Sequence, residues 1–343
     1  MTRGLVIGKF LPFHQGHRAL VEYAAARVDE LDVIVCDAGW HTIPVTLRAA
    51  WIEEICAEIG VRARVHTVDG DRYAVSDDDS VGWAAITVEV LGRAPDVVFT
   101  GEDYGDAYAA ALGCVHERTR REPDGICGTV VRAAPLAYLH RLDPPVRAHF
   151  VRRVCIIGAE STGKTTLATD LARHLGTVAV PEFGRHFTEA MPVPTRYRWR
   201  TRDFRLIAEM QARIEDDTAR WAGPVLICDT NPLVTAVFHE TYLGRTDDRL
   251  LQRALERTYH LYVLCDPATP FEQDNTGLRH EGAARRAMHE RYRELLAAGP
   301  TPWIEVRGDR AARVAQALAA IDPLLRAGGL DGVDALRAAV GVR

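Results

Sequence analysis

Residues 153–166 read RVCIIGAESTGKTT, and this stretch decides the architecture of the second half of the chain. A short apolar run, VCII, feeds a glycine-rich turn that fits GxxxxGK[ST], and a helical pattern follows near Thr165–Leu175. Strand, loop and helix in that order are what make such a glycine pattern a phosphate cradle. Backbone amides at a helix N-terminus face anions, so Gly158, Ala159, Glu160, Ser161, Thr162, Gly163, Lys164, Thr165 and Thr166 form a candidate ATP-binding set. In that reading Lys164 reaches the β- and γ-phosphates and Thr165 holds Mg²⁺. A tight glycine turn without a ligand is the bland alternative. Further on, VLICDT ends a buried strand in Asp229, a carboxylate placed to hold the same Mg²⁺. A plain helix cap at Asp229 is the other reading.

Working outward, short β-branched runs alternate with amphipathic segments. The second half gives strands at Arg153–Ile157, Thr177–Val180, Val225–Cys228 and His260–Cys265. The first half gives strands at Leu5–Gly8, Leu31–Cys36, Ala63–Val68 and Asp96–Thr100, separated by helical patterns near His17–Arg27, Thr46–Ile59, Ser80–Leu91 and Tyr104–Leu112. Strands separated by helices of this length predict an α/β protein with doubly wound parallel sheets. Around Asp143-Pro144-Pro145 the alternation breaks, which predicts two domains, 1–140 and 153–343, joined by a linker at 141–152.

A second phosphate signature opens the first half, GKFLPFHQGH at 8–17. Strand 1 ends at Gly8, and His14 and His17 flank Gly16 at the start of the following helix. Two imidazoles at a helix N-terminus suit a triphosphate, with Lys9 adding charge. A metal site is the other reading of paired histidines, but no third ligand falls at a supporting spacing. The chain has only two lysines in 343 residues, Lys9 and Lys164, one inside each signature, and all its other basic side chains are arginines. A compact ammonium between phosphates is a task for which a planar guanidinium is a poor exchange.

Composition limits the function classes. A net charge of −5 with interspersed signs and no polybasic tail predicts no nucleic-acid partner. Seven cysteines without a CxxC pair, three of them (Cys155, Cys228, Cys265) in apolar runs, read as core residues in a reducing cytoplasm. No segment approaches the length of a membrane span, so the sequence predicts a cytoplasmic protein without a membrane partner.

With these residues in hand, the first half resembles the nucleotidylyltransferase superfamily, and its GKF-P-H-GH form is most similar to nicotinamide-mononucleotide adenylyltransferases. The superfamily's second motif, ISxTxxR, is matched by Ile126-Cys127-Gly128-Thr129-Val130-Val131-Arg132, with cysteine in place of the usual serine. Followed by a P-loop domain, nearly the whole chain resembles the bifunctional NadR-type family. Supporting pieces are Arg48 with Trp51, Gly82-Trp83, FTGEDYG at 99–105, PEFGR at 181–185, CDT at 228–230 and GLR at 277–279. Some members carry an N-terminal helix-turn-helix repressor module, whereas this sequence starts at the first strand of the catalytic sheet, so no control of DNA is expected.

The resemblance implies a Rossmann-like nucleotidylyltransferase followed by a P-loop kinase, acting in NAD biosynthesis. The kinase phosphorylates nicotinamide riboside with ATP, and the transferase joins the mononucleotide to the adenylyl group of a second ATP. On the transferase side it implies an ATP site of Gly8, Lys9, Phe10, His14, Gly16, His17, Gly128, Thr129 and Arg132, with Trp83 stacking on the pyridine ring or serving as a core tryptophan. On the kinase side it implies catalytic roles for Lys164, Asp229, Glu182 and a lid residue Arg279, and substrate contacts from Glu182, Phe183, Arg185 and Asp229. Relatives carry tryptophan where this chain has Pro181, which leaves Phe183 as the expected aromatic surface. Either Glu182 or Asp229 orients the riboside hydroxyl. Two other readings stay open, a pantetheine-phosphate adenylyltransferase fused to a dephospho-coenzyme A kinase, and a nucleotide-sensing regulator whose transferase site has lapsed at Cys127. Oligomeric state is open, a homo-oligomer included. Asp77-Asp78-Asp79 reads as a helix start, and Arg196–Arg202 as a solvated arginine-rich loop or a border of the kinase channel.

Overall fold

The computed structural model describes residues 1–76, 78–119, 126–268, 272, 278 and 282–326. They fall into two compact units, Met1–Arg147 and Ala148–Arg343. The division lies within the segment predicted as a linker, and most of that segment is helical. Pro144 opens the helix Pro144–Phe150, a first-turn position at which proline's missing N–H costs nothing.

The first unit runs β1 (Arg3–Gly8), α1 (Gln15–Ala25), β2 (Glu30–Asp37), α2 (Val45–Glu58), β3 (Ala63–Asp69), the short α3 (Gly70–Tyr73), α4 (Ser80–Leu91), β4 (Val97–Thr100), α5 (Gly105–Leu112), β5 (Val115–Arg118) and α6 (Gly128–Ala133). Its five strands pair in parallel in the order β3-β2-β1-β4-β5. The chain leaves β1 toward β2 on one side and returns to β4 on the other. The crevice beyond the carboxyl ends of β1 and β4 is therefore the switch point where open α/β sheets bind ligands. Leu5, Ile7, Ile34 and Val98 form a buried core with Ile86 of α4 and Tyr108 of α5. Asp79 caps α4 by accepting from the Gly82 amide at 2.8 Å, while Asp77 lies outside the described residues.

The second unit follows the boundary helix α7 (Pro144–Phe150) with β6 (Arg152–Ile157), α8 (Lys164–His174), β7 (Ala179–Val180), α9 (Phe183–Glu189), α10 (Thr201–Ala219), β8 (Val225–Asp229), α11 (Pro232–Leu243), α12 (Asp248–Leu255), β9 (Leu261–Cys265), α13 (Ala283–Ala298), β10 (Trp303–Val306) and α14 (Arg310–Arg326). Its strands are again all parallel, in the order β10-β9-β6-β8-β7. Central strands covered on both faces read as continuous apolar runs, and Cys155, Cys228 and Cys265 sit in three of them with no exposure. All seven cysteines are free thiols.

Three details differ from the sequence reading. The strand β5 (VHER) is an edge strand with half-exposed, charged side chains, so it carries no apolar run. The edge strand β10 (WIEV) is four residues long and mostly half-buried, again too weak a pattern to stand out. Helix α1 starts at Gln15 rather than near His17, because the His14 imidazole caps it. Its Nδ1 accepts from the Gly16 amide at 3.1 Å, filling the place usually taken by a hydroxyl or carboxylate oxygen. Among the described residues no helix is long and apolar enough to cross a membrane.

Candidate active sites

In the first unit a cleft of about 1030 Å³ opens at the carboxyl ends of β1 and β4. Gly8, Lys9, Phe10, His14, Gly16, His17, Trp83, Gly128, Thr129 and Arg132 all line it, together with Cys127. The two signature segments, over a hundred residues apart in sequence, therefore meet. Phe10 holds a left-handed backbone, φ 46°, a conformation that a bulky residue adopts only when its surroundings enforce it. Arg132 donates to the Leu11 carbonyl and, at 3.0 Å, to the Thr129 hydroxyl. A side chain at position 128 would press to 2.9 Å of the Leu11 carbonyl oxygen, so glycine is required for this approach.

The histidines stack, ring centroids 3.8 Å apart. Because the Gly16 amide donates to Nδ1 of His14, a neutral His14 carries its proton on Nε2, as a donor. Burial holds the His14 pKa down at about 4. Burial, and then the nearby His14, push His17 well below its usual value, and His17 Nδ1 is enclosed with no hydrogen-bond partner among the described residues. Lys9 Nζ lies 5.0 Å from the ring centre of the exposed Trp40. Its backbone carbonyl accepts from the fully buried Arg48, which also donates to Cys36 O at 2.8 Å and Ile43 O at 2.9 Å. Trp83 lines the cleft and packs against the core, with Nε1 donating to Ser76 O at 3.1 Å.

In the second unit the loop between β6 and α8 uses three positive-φ residues, Gly158 (152°), Ser161 (57°) and Gly163 (79°). A side chain at 158 would come within 2.9 Å of Thr162 Oγ1 and 3.1 Å of Cys265 O. Lys164 Nζ and Thr162 Oγ1 both donate to Ala159 O, at 3.0 and 2.8 Å. Asp229, at the end of β8, is 3% exposed. Burial raises its pKa, while a hydrogen bond from Thr165 and the charges of Lys164 and Arg185 oppose the rise. Its Oδ1 is enclosed without a partner among the described residues. Burial likewise raises Glu182, against the pull of Lys164, and Arg185 Nη2 stands 3.7 Å from Glu182 Oε2.

A pocket of about 110 Å³ adjoins this loop. Glu160, Ser161, Lys164, Glu182 and Arg185 line it, with Trp199, Phe204, Ile207, Gln211, Phe238 and Tyr242. Phe183 is not among its lining residues. The Phe183 ring packs on Phe187, centroids 6.5 Å apart, and its amide donates to Gln211 Oε1 at 2.8 Å. Arg279 and Gly277 lie outside the described residues. The arginine-rich stretch divides in two. Arg196, Arg198, Arg200 and Arg202 are exposed, whereas Trp199 turns into the pocket against Phe204 and Tyr242, at centroid distances of 5.1 and 5.6 Å.

Comparison with known proteins matches this fold. Residues 153–313, just under half of the chain, match the family model described as AAA domain. The trifunctional NAD biosynthesis/regulator protein NadR of Escherichia coli (strain K12) is 28% identical over 327 residues, covering 89% of this chain and 78% of that protein. The chain is homologous to NadR. A crystal structure of NadR in complex with NAD and AMP-PNP has the same fold, with a TM-score of 0.75 at 18% identity over 95% of this chain and 97% of that one. The nicotinamide-nucleotide adenylyltransferase of Halobacterium salinarum (strain R1) is 56% identical over 39 residues, 11% of this chain and 22% of that protein.

In this NadR homologue the sequence reading missed the far wall of the second pocket. Phe204, Ile207, Ala208, Gln211 and Glu215 form the buried face of α10, spaced as an amphipathic helix requires. A glutamine and two carboxylates, Asp203 and Glu215, buried on a largely apolar stripe were the available signal. Gln211 Nε2 lies 3.4 Å from Glu215 Oε1, and Tyr259 and Arg257 hold Glu215 from behind at 2.6 and 3.1 Å.

Proposed function

We propose that the chain makes NAD from nicotinamide riboside in two ATP-dependent steps, phosphorylation in the second unit and adenylyl transfer in the first. The observation that carries this reading is the pair of separate phosphate cradles, one on each parallel sheet, in a homologue of NadR. In the second unit the riboside 5′-hydroxyl attacks the γ-phosphorus of ATP, the bond from that phosphorus to the β–γ bridging oxygen breaks, ADP leaves, and the hydroxyl proton passes to a carboxylate or water. Lys164 neutralises the developing charge, and Glu182, which lines the pocket with its carboxyl raised by burial, orients the hydroxyl.

Mg²⁺ suits the donors present here. An enclosed carboxylate oxygen without a partner, Asp229 Oδ1, lies on a residue bonded to the Thr165 hydroxyl, and one carboxylate with one hydroxyl is the sparse oxygen set that leaves room for phosphates and water. Bound there, the ion supplies charge neutralisation for the phosphates.

In the first unit the phosphate of the mononucleotide attacks the α-phosphorus of ATP, and pyrophosphate leaves. The nucleophile is already an anion, so catalysis is positioning and charge stabilisation. His14 Nε2–H and His17 donate to phosphate oxygens, Lys9 and Arg132 add positive charge, and Gly128 and Thr129 complete the cradle. Trp83 presents its ring to the pyridine.

Purified protein given nicotinamide riboside, ATP and Mg²⁺ should accumulate NAD, with the mononucleotide appearing before or with it, on chromatography of timed samples. Turnover of phosphopantetheine without a nicotinamide product moves the protein to coenzyme A chemistry. Binding without turnover makes it a sensor.

A further inference from the structure

Two buried arginines grip the phosphate loop of the second unit from behind. Arg285, near the start of α13, donates from Nε to Glu160 O at 2.9 Å and from Nη2 to Ser161 O at 2.8 Å. Arg313, on α14, donates from Nη1 to Thr162 O at 2.8 Å and from Nε to Gly308 O at 2.9 Å. Each is 7% exposed. Three consecutive carbonyls of the loop are thus fixed by helices more than a hundred residues away in sequence.

In a planar trans peptide the C=O and the N–H of the next residue point in opposite directions. Holding the carbonyls of residues 160, 161 and 162 toward the arginines turns the amides of Ser161, Thr162 and Gly163 the other way. Those are amides on which a phosphate cradle depends. Ser161 also sits at φ 57°, a region that disfavours every residue with a side chain except under local constraint. Arg285 spans both sides of that residue, bonding the carbonyl before it and its own.

We propose that Arg285 is a positioning residue for the phosphate loop, which holds Ser161 in its left-handed conformation so that the loop amides face ATP before ATP arrives, with Arg313 extending the grip to Thr162. This rests on the kinase reading of the second unit. The planar fork is essential to the role, since the ammonium of lysine does not span two carbonyls in the same way.

The test compares Arg285→Ala, Arg285→Lys, Ser161→Gly and the Arg285→Ala/Ser161→Gly double variant in the full chain. Losing two charge-assisted hydrogen bonds should raise the KM for ATP in riboside phosphorylation by about tenfold or more, with the KM for riboside unchanged. Lysine should restore little. Millimolar guanidinium should restore part of the loss in Arg285→Ala, at concentrations that leave its melting temperature unmoved. Glycine adopts positive φ freely, so Ser161→Gly should recover most of the ATP KM in the Arg285→Ala background. An unchanged ATP KM in Arg285→Ala overturns the proposal, as does a loss shared equally with the riboside KM that neither guanidinium nor Ser161→Gly relieves. If Arg285→Ala does not fold, Arg285→Lys carries the same comparison. Should the wild type lack kinase activity, that reading fails by itself. The proposal is then judged on AMP-PNP affinity by calorimetry, with Lys164→Ala as the blank for the first unit; equal affinity in wild type and Arg285→Ala overturns it.

Discussion

His14 and His17 lie face to face, ring centroids 3.8 Å apart and planes inclined by 29°. Both are neutral near pH 7 in the ligand-free protein, because burial holds His14 at about 4 and places His17 well below its ordinary value. In the unfolded chain each titrates near 6.5, so as pH falls below that value the unfolded state takes up the proton first. The pair therefore lowers stability progressively as pH falls below 6.5 and is without effect above it, and His14 alone, whose window closes near pH 4, accounts for on the order of 3 kcal/mol. Urea unfolding midpoints of the first unit across this range should fall steeply in the wild type. His14→Asn keeps an acceptor for the Gly16 amide and should fall less steeply; parallel curves would exclude the pair as the source.

Cys127 occupies the N-cap of α6 with extended backbone, φ −148° and ψ 164°, and makes no side-chain capping bond. Serine suits that position, and an N-cap hydroxyl contributes about 0.5–2 kcal/mol. Cys127→Ser should therefore raise the melting temperature slightly and keep or modestly increase adenylyl transfer. Loss of transfer activity in a folded Cys127→Ser protein would show that the thiol itself is needed.

The two cradles were legible because the main part of each is continuous in sequence, a strand followed by glycine, lysine or histidine, and a helix, and because the distant segment of the first, Ile126–Arg132, carries a motif of its own. The parallel sheets were legible because buried strands such as VCII and VLIC are unbroken apolar runs. What stayed hidden was assembled across distance. Phe204, Gln211 and Tyr242 come from two helices with no shared motif, and only Trp199, inside the arginine-rich stretch read as a possible border of the channel, gave a sign of this wall. Arg285 and Arg313 are invisible for another reason: where nearly every basic residue is arginine, a structural arginine has no distinguishing mark. Thr230, at φ 71° beside Asp229 and lining the second pocket, carries a strain that its side chain gives no hint of.

The aromatic surface of the second pocket belongs to Trp199, Phe204, Phe238 and Tyr242, not to Phe183. Replacing Trp199 with alanine removes a ring that contacts Phe187, Tyr197, Phe204 and Tyr242. Trp199→Ala should raise the KM for riboside at least tenfold, Trp199→Phe far less, and the KM for ATP should hold in both. Phe183→Ala should change the riboside KM less than Trp199→Ala does. Steady-state kinetics of the three variants decide it, and the reverse order would return the stacking role to Phe183.

Asp229 is a buried carboxylate whose Oδ1 has no partner among the described residues and whose pKa burial raises. A group with a raised folded pKa binds protons more readily in the folded state, so its charged form destabilises the ligand-free second unit above the unfolded carboxylate pKa of about 4. Asp229→Asn removes that charge at little change of shape. It should raise the ligand-free unfolding midpoint at pH 7 and abolish riboside phosphorylation, and added Mg²⁺ with AMP-PNP should stabilise it less than the wild type. A variant that is destabilised without ligand would mean that the ionised carboxylate's bond with Thr165 outweighs the cost of its burial.

Because each cradle is built on its own sheet with its own core, the two chemistries should be separable by single substitutions. Lys164 is 8% exposed and directed at the loop carbonyl of Ala159, so Lys164→Ala removes charge from the second cradle. It should abolish phosphorylation of the riboside and leave synthesis of NAD from added mononucleotide within about twofold of wild type. His17→Ala removes one ring of the stacked pair in the first cleft and should lower adenylyl transfer by about 10²-fold or more, the scale of a lost transition-state donor, while riboside phosphorylation continues and mononucleotide accumulates. Each reaction is assayed by itself, on protein whose melting curve matches the wild type. Equal loss of both activities from either substitution would mean that the two sites do not act independently.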